Sequence, residues 1–337
     1  MLLLAIESSC DETAAAVLED GTNLISNVVD SQIQVHSPYG GVVPELASRR
    51  HIETIYPVVN EALKQAGISL NQLDAIAATQ GPGLVGSLLI GMSFAKALAY
   101  VHNLPCIGVD HMAGHLLSIF LGQYHPDFPY VALAASGGHS SIYLVNDPLS
   151  YKLLGQTRDD AAGEAFDKVA KLLDLGYPGG PIIAETAKKG NSEAVNFPRA
   201  WLEPDSFDFS FSGVKTAVVN YVNQANLKNE KLNIPDICAS FQEAIADVLV
   251  EKTLKAAKST NVSQIVLAGG VAANQRLREL MLLRGQKEKF SVFLPPIEYC
   301  TDNAAMIAVA GYHHYQNKKQ WPDTIDMDVY SRSQISF

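Results

Sequence analysis

The chain opens with an apolar run over residues 2–6, breaks at Glu7, stays polar to Thr13, and turns apolar again over residues 14–18. Short apolar runs flanking a polar turn predict two strands of a hairpin. The same pattern returns near the middle of the chain. Residues 130–135 are apolar, Ser136-Gly137-Gly138-His139-Ser140 is a tight turn, residues 141–145 form a return strand, and Asn146-Asp147-Pro148 is a stop. Two halves that each begin with this hairpin predict an internal duplication. Each half then supplies a strand, a glycine turn and a helix. In the first, residues 74–79 lead through Gln80-Gly81-Pro82-Gly83 into an apolar helix over 84–100. In the second, residues 264–268 lead through Gly269-Gly270-Val271-Ala272-Ala273-Asn274 into an amphipathic helix beginning near Gln275. The first N–H groups of a helix lack internal partners and the dipole is positive there, so either turn can face an anion. Glycine at such a turn equally serves to let strand and helix approach closely.

The remaining pattern is less regular. Pro44 suits the first turn of a helix over 44–66, with Pro57 as a kink. Gly176-Tyr177-Pro178-Gly179-Gly180-Pro181 predicts a shaped loop outside regular structure. Residues 191–215 read as irregular, with the segment from Phe207 to Gly213 a half-buried strand running into a turn. Residues 302–315 are alanine-rich and helical, and the tail after Trp321 is polar enough to be extended or peripheral. Hairpins, strands and helices alternating in two similar halves predict an α/β fold with its ligand in a central cleft between two similar subdomains. The actin-like ATPase and sugar-kinase architecture fits that description. The division falls near residue 130. Residues 1–129 form the first half, with the C-terminal helix and tail (305–337) packing back on it, and residues 130–304 form the second.

At 337 residues the chain exceeds the size of most single cores, in agreement with two subdomains. Charged residues make up only 18% against the ~25% typical of globular domains, which implies much surface committed to interfaces. A net charge of −10 and a pI near 5.3 argue against a free-standing nucleic-acid binder. Small basic clusters at Arg49-Arg50-His51, Lys188-Lys189, residues 276–289 and Lys318-Lys319 read as solvated faces. Cys10, Cys106, Cys238 and Cys300 are widely spaced with no C-x-x-C, so neither a disulfide framework nor a structural zinc module is expected, and the compartment reads as reducing. No stretch is expected to span a membrane, since even residues 83–101 carry Lys96. The apolar start reads as a strand and lacks the basic residues of a signal peptide.

The most specific chemistry lies in Asp110-His111-Met112-Ala113-Gly114-His115. Histidines four apart share one face of a helix, the geometry of paired metal ligands. A zinc protease of the H-E-x-x-H kind needs a glutamate after the first histidine as general base, and Met112 stands there instead.

Eight segments in one order resemble a known family. They are Ile6-Glu7-Ser8-Ser9-Cys10-Asp11-Glu12-Thr13, Tyr39-Gly40-Gly41-Val42-Val43-Pro44-Glu45-Leu46-Ala47-Ser48-Arg49, Gly81-Pro82-Gly83-Leu84, His111-Met112-Ala113-Gly114-His115, Ser136-Gly137-Gly138-His139, Gly163-Glu164-Ala165-Phe166-Asp167-Lys168, Phe211-Ser212-Gly213-Val214-Lys215 and Gly269-Gly270-Val271-Ala272-Ala273-Asn274. Together they resemble the tRNA N6-adenosine threonylcarbamoyltransferase (TsaD) family, formerly described as O-sialoglycoprotein endopeptidases, over about residues 1–315. The resemblance implies a cytoplasmic acyltransferase of tRNA modification (t6A). Its members move the threonylcarbamoyl group from threonylcarbamoyl-AMP to N6 of the adenosine 3′ of the anticodon in tRNAs reading ANN codons, releasing AMP. It implies one divalent metal ion per subunit, Fe2+ or Zn2+, on His111, His115 and Asp302. Nucleotide contacts carry over to Ala134, Ala135, Ser136, Gly137, Gly138, Asp167, Gly180 and Asn274, and the apolar positions would contribute backbone groups. Many relatives place an aspartate shortly after the Pro-Gly-Gly-Pro loop to grip the sugar hydroxyls, and this chain has Ala184 there. The resemblance also implies tRNA, a smaller TsaB-type paralogue and a TsaE-type ATPase as partners, with no membrane. The helical pair over 44–66 and 84–100 is the expected partner surface, through its apolar excess.

A carbamoyl-phosphate mixed anhydride is already activated. The enzyme must orient the amine, neutralise charge growing on phosphate and carbonyl oxygen, and remove one proton. The metal with the amides of residues 136–138 suits the second task. Asp11 or Glu12, on the first hairpin turn, is the candidate for the third, against the alternative that both only cap or orient backbone. His139 is expected to hydrogen-bond near the metal without coordinating it. Two other classes fit the architecture: an ATP-driven kinase or hydrolase with Mg²⁺ and no need of His111, and a nucleotide-sensing scaffold without turnover.

Overall fold

The computed structural model describes residues 1–203, 205–318 and 326–333. It comprises two compact units, one of residues 1–125, 146–151 and 301–337, the other of residues 126–145 and 152–300.

In the first unit, β1 (Leu2–Glu7) pairs antiparallel with β2 (Glu12–Glu19), and β2 with β3 (Asn23–Ser31). A short α1 (Ile33–His36) leads to α2 (Pro44–Ala66), and β4 (Ala75–Gly81), α3 (Val85–His102) and β5 (Cys106–Asp110) follow. The sheet order is β3-β2-β1-β4-β5, with β4 parallel to both β1 and β5. β1, β2 and β4 are buried on both faces, which is why they read as continuous apolar runs without alternation. α4 (His111–Leu117) starts directly at the end of β5, and α10 (Ala304–Asn317) returns from the far end of the chain to pack on β1, β2, β5 and α4. Each of these two helices has a side-chain cap. Asp110 accepts from the Met112 and Ala113 N–H groups, and Asn303 from that of Met306.

The second unit repeats the plan. β6 (Tyr130–Ala135) pairs antiparallel with β7 (Ser140–Asp147) and parallel with β9 (Gln264–Ala268), and β8 (Ser150–Gln156) and β10 (Ser291–Phe293) complete the order β10-β9-β6-β7-β8. The helices of this unit are α5 (Ala162–Leu172), α6 (Gly179–Ala187), α7 (Ser212–Leu227), α8 (Ile234–Ser259) and α9 (Gln275–Lys287), of which α8 and α9 pack on the strands. Taking β6 to β10 in place of β1 to β5, the two sheets have one strand order, the mark of a duplicated actin-like α/β fold.

Several local expectations are corrected. Residues 176–181 do not stay outside regular structure, since α6 begins at Gly179. Pro181 costs nothing in a first turn, where its missing N–H would have had no partner. The segment from Phe207 to Gly213 forms only one isolated bridge, Thr157 to Phe209, before α7 starts at Ser212. α8 is buried nearly all round, so no amphipathic stripe announces it. α2 continues past Pro57 to Ala66, the extent expected of it. α3 is long and apolar enough by length and composition to cross a bilayer, with 18 residues of mean hydropathy 1.3. It packs instead on β4 and α2 through Leu88, Gly91, Met92 and Ala95, and Lys96 Nζ donates to the Met327 carbonyl at 2.8 Å.

Of the tail expected to be extended or peripheral, residues 319–325 and 334–337 lie outside the described residues. The described part, 326–333, is a strap along the first unit. The Tyr330 N–H donates to the Gln80 carbonyl at 3.0 Å, and the Tyr330 and Ser333 hydroxyls lie 3.0 and 2.9 Å from Asp110 Oδ2. Any side chain at Gly81 would collide with the Tyr330 backbone.

Candidate metal centre and nucleotide-handling turns

α4 places His111 and His115 one turn apart on one face, both buried, with ring centroids 4.6 Å apart and planes at 86°. Asp302 meets them from the turn that leads into α10. Its Oδ1 lies 3.1 Å from His115 Nε2 and 3.6 Å from His111 Nε2. One donor atom from each residue falls within 4.8 Å of the others. Two imidazole nitrogens and a carboxylate oxygen converging at that spacing fit a divalent ion such as zinc or iron. The His115 Nδ1 is buried without a hydrogen-bond partner, so the polar contact that holds the ring is the one from Nε2 to Asp302.

Behind the pair lies a polar network. Glu7 ends β1 fully buried, with Oε2 3.1 Å from His111 Nδ1 and 2.6 Å from the Thr79 hydroxyl. The Ser9 hydroxyl also reaches His111 Nδ1, at 3.1 Å. Burial, the largest single influence, pushes His111 down. Asp302 and Glu7 together outweigh it and raise the imidazole to about 9. Burial likewise pushes Glu7 up, and the charge and hydrogen bond of His111 hold it below its ordinary value. Without a bound cation, a proton on His111 therefore takes the place of positive charge between two carboxylates.

The sign of the resulting pH dependence follows. The folded value of His111, about 9, exceeds its ordinary 6.5, so the pairing stabilises the cation-free protein fully below pH 6.5 and loses that contribution as pH rises through about 9. The effect is roughly 3 kcal/mol at most. Melting temperatures of chelator-treated protein should fall across this window more steeply than those of His111→Gln. Cation affinity should rise over the same window, because the ion must displace that proton.

Asp11 and Glu12 stand where the first hairpin turn enters β2. Burial, then Asp11, then Asp302 raise Glu12 well above its ordinary value, which favours the protonated form. Burial, with Asp11 and Asp302 next, also pushes the Cys10 thiol well up.

In the second unit, the hairpin turn after β6 is closed by Ser136 N–H to the His139 carbonyl at 2.8 Å and by His139 N–H to Ser136 Oγ at 3.2 Å. It rests on the start of α5, where a side chain at Gly163 would strike the Ser136 carbonyl and the Gly137 backbone. Gly137, Gly138 and Gly180 face open space, leaving their backbone accessible to a ligand. Asp167 Oδ1 accepts from the Gly179 N–H at 2.7 Å, joining α5 to α6. The side chain of Asn274 caps α9 through the Leu277 N–H at 3.0 Å and donates to Gln242 Oε1 at 2.8 Å. Ala134 and Ala135 are buried in β6. His111, His115, Asp302, Asp11 and Glu12 thus belong to the first unit, and the residues singled out for nucleotide contact to the second. Glu7, Ser9 and Thr79 were not singled out as individual site residues. Their signal was a carboxylate closing an apolar strand, immediately before the first turn.

Two such sheets define the class, an α/β protein of the actin-like fold, with a candidate metal-binding cluster in its first unit. Solved structures agree on the fold. HypF of T. kodakarensis superposes with a TM-score of 0.64 at 13% identity, over 94% of this chain and 48% of that one. Component A of the (R)-2-hydroxyglutaryl-CoA dehydratase of Acidaminococcus fermentans gives 0.55 at 15% identity, over 94% of this chain and all (100%) of that one. The family model described as TsaD, tRNA N6-adenosine threonylcarbamoyltransferase, matches residues 23–309. The chain belongs to this family. Among proteins bearing that description, the one from Desulfotalea psychrophila is 57% identical over 99% of this chain and 98% of its own length, and the one from Clostridioides difficile 52% identical over 95% and 94%. The activity is accordingly transfer of a threonylcarbamoyl group to an adenosine N6 of tRNA.

Proposed function

We propose that the chain takes the group from threonylcarbamoyl-AMP, with His111, His115 and Asp302 holding one Fe2+ or Zn2+ ion. The observation that carries this reading is the convergence of those three donor atoms within 4.8 Å. Such an ion supplies Lewis-acid stabilisation of negative charge on phosphate and carbonyl oxygens. The absence of a glutamate beside His111 fits an ion that grips a phosphate-bearing donor and needs no water-activating base. Asp11 is the base that removes the proton from the attacking amine. Glu12, whose protonated form burial and Asp11 favour, is a hydrogen-bond donor beside it. In the second unit, the open backbone of Gly137, Gly138 and Gly180 binds the nucleotide, Asp167 positions the Gly179–Gly180 backbone, and Asn274 acts by fixing the start of α9. Each unit corresponds to one half of the actin-like pair, with the helix of residues 304–317 belonging to the first. Ile52 and Tyr56 on α2, with Val85 and Leu89 on α3, are exposed apolar residues suited to a smaller TsaB-type partner, and a TsaE-type ATPase completes the system.

Single-turnover transfer of labelled threonylcarbamate to tRNA tests the reading, with and without those partners and after metal removal. Label reaching tRNA only in the metal-loaded sample is expected. Phosphate transfer from ATP with Mg²⁺ alone, indifferent to His111, would favour the kinase reading instead.

A further inference from the structure

We propose that Glu7 is a positioning residue for the metal centre: it fixes the tautomer of His111 so that the bare Nε2 faces Asp302 and the ion. This rests on the metal reading above. The Glu7 carboxylate has no access to solvent. Its Oε1 accepts from the Ser9 N–H, and its Oε2 meets both the Thr79 hydroxyl and His111 Nδ1. A carboxylate only accepts, so the proton between it and the imidazole belongs to Nδ1, and the Ser9 hydroxyl on the same nitrogen then accepts as well. In the neutral ring that would bind an ion, the lone pair is then left on Nε2, the atom that points to Asp302. One side chain thereby joins the end of β1, the end of β4 and the first residue of α4.

The other histidine makes the contrast. His115 Nδ1 has no hydrogen-bond partner, so of these two rings only His111 carries a carboxylate on the nitrogen turned away from Asp302. A carboxylate on the far nitrogen also makes the imidazole a stronger donor to a metal. Glutamine cannot replace Glu7. With its amide oxygen toward His111, its NH2 faces the Ser9 N–H, donor against donor. With the NH2 toward His111, the proton is driven onto Nε2, where it blocks the ion.

The test is titration of the purified chain with Co2+, read from its visible absorption, and with Zn2+ by competition. Glu7→Gln is expected to weaken both by about 10- to 100-fold and to alter the Co2+ spectrum. Thr79→Val, which removes a different bond to the same oxygen, should stay within about threefold of wild type. Glu7→Gln at wild-type affinity, or Thr79→Val losing as much, overturns the proposal. A readout on the unmutated protein covers a variant that fails to fold. Nitrogen-15 imidazole spectra should place the His111 proton on Nδ1 in the Zn2+-loaded chain, and a proton on Nε2 overturns the proposal. His115→Ala separates the two levels. If it keeps full affinity the metal reading itself fails, whereas if it loses the ion and Glu7→Gln does not, only the role of Glu7 fails.

Discussion

His115→Ala should leave the chain without a tightly bound ion and cut threonylcarbamoyl transfer by roughly a thousandfold or more. The ring is fully buried, and its Nε2 lies 3.1 Å from Asp302 Oδ1. Removing it leaves one nitrogen and one carboxylate, too few protein donors for a stable site. Stabilisation of several kcal/mol by an ion at developing oxyanions is then lost, and each 1.36 kcal/mol is a factor of ten in rate. Elemental analysis after dialysis, paired with single-turnover kinetics and circular dichroism, checks it. A folded variant that retains one equivalent of metal and transfers at the wild-type rate removes the metal from the mechanism.

The carboxylates of the first hairpin should behave unequally. Asp11→Asn is expected to lower transfer by about 10²- to 10⁴-fold, the usual worth of a general base, with metal content unchanged. Glu12→Gln should cost only a few-fold, because an amide imitates the protonated acid that burial and Asp11 favour. Burst rates with saturating donor give both numbers. The reverse order would exchange the two roles, and wild-type rates in both would reduce the pair to backbone caps.

The sequence declared the two candidate ligand histidines because their spacing is local: four residues on a helix determine a shared face. Asp302 was reached only through resemblance, since no local pattern ties residue 302 to residue 111. The duplicated hairpin was legible as two apolar runs around a polar turn, and the two matching strand orders are its counterpart. α8 was not legible, because a helix buried on all sides has no polar face to set its period. The start of α6 misled in the opposite way, since glycine and proline discourage a helix interior and are tolerated in a first turn. Glu7 was present in the quoted motif without a role. Its function depends on β1, β4 and α4 ending at one point, which only the fold shows.

The strap over residues 326–333 bears on biosynthesis. Asp110, which caps the helix bearing both histidines, takes the Tyr330 and Ser333 hydroxyls, and Asp302 itself lies almost two hundred residues beyond His111. A nascent chain still threaded through the ribosome at residue 300 has neither the third ligand nor the clasp on the cap. On the proposed ligand set, loading with metal would therefore be a late event, after release of those residues, and products truncated before Asp302 would be born unable to hold the ion.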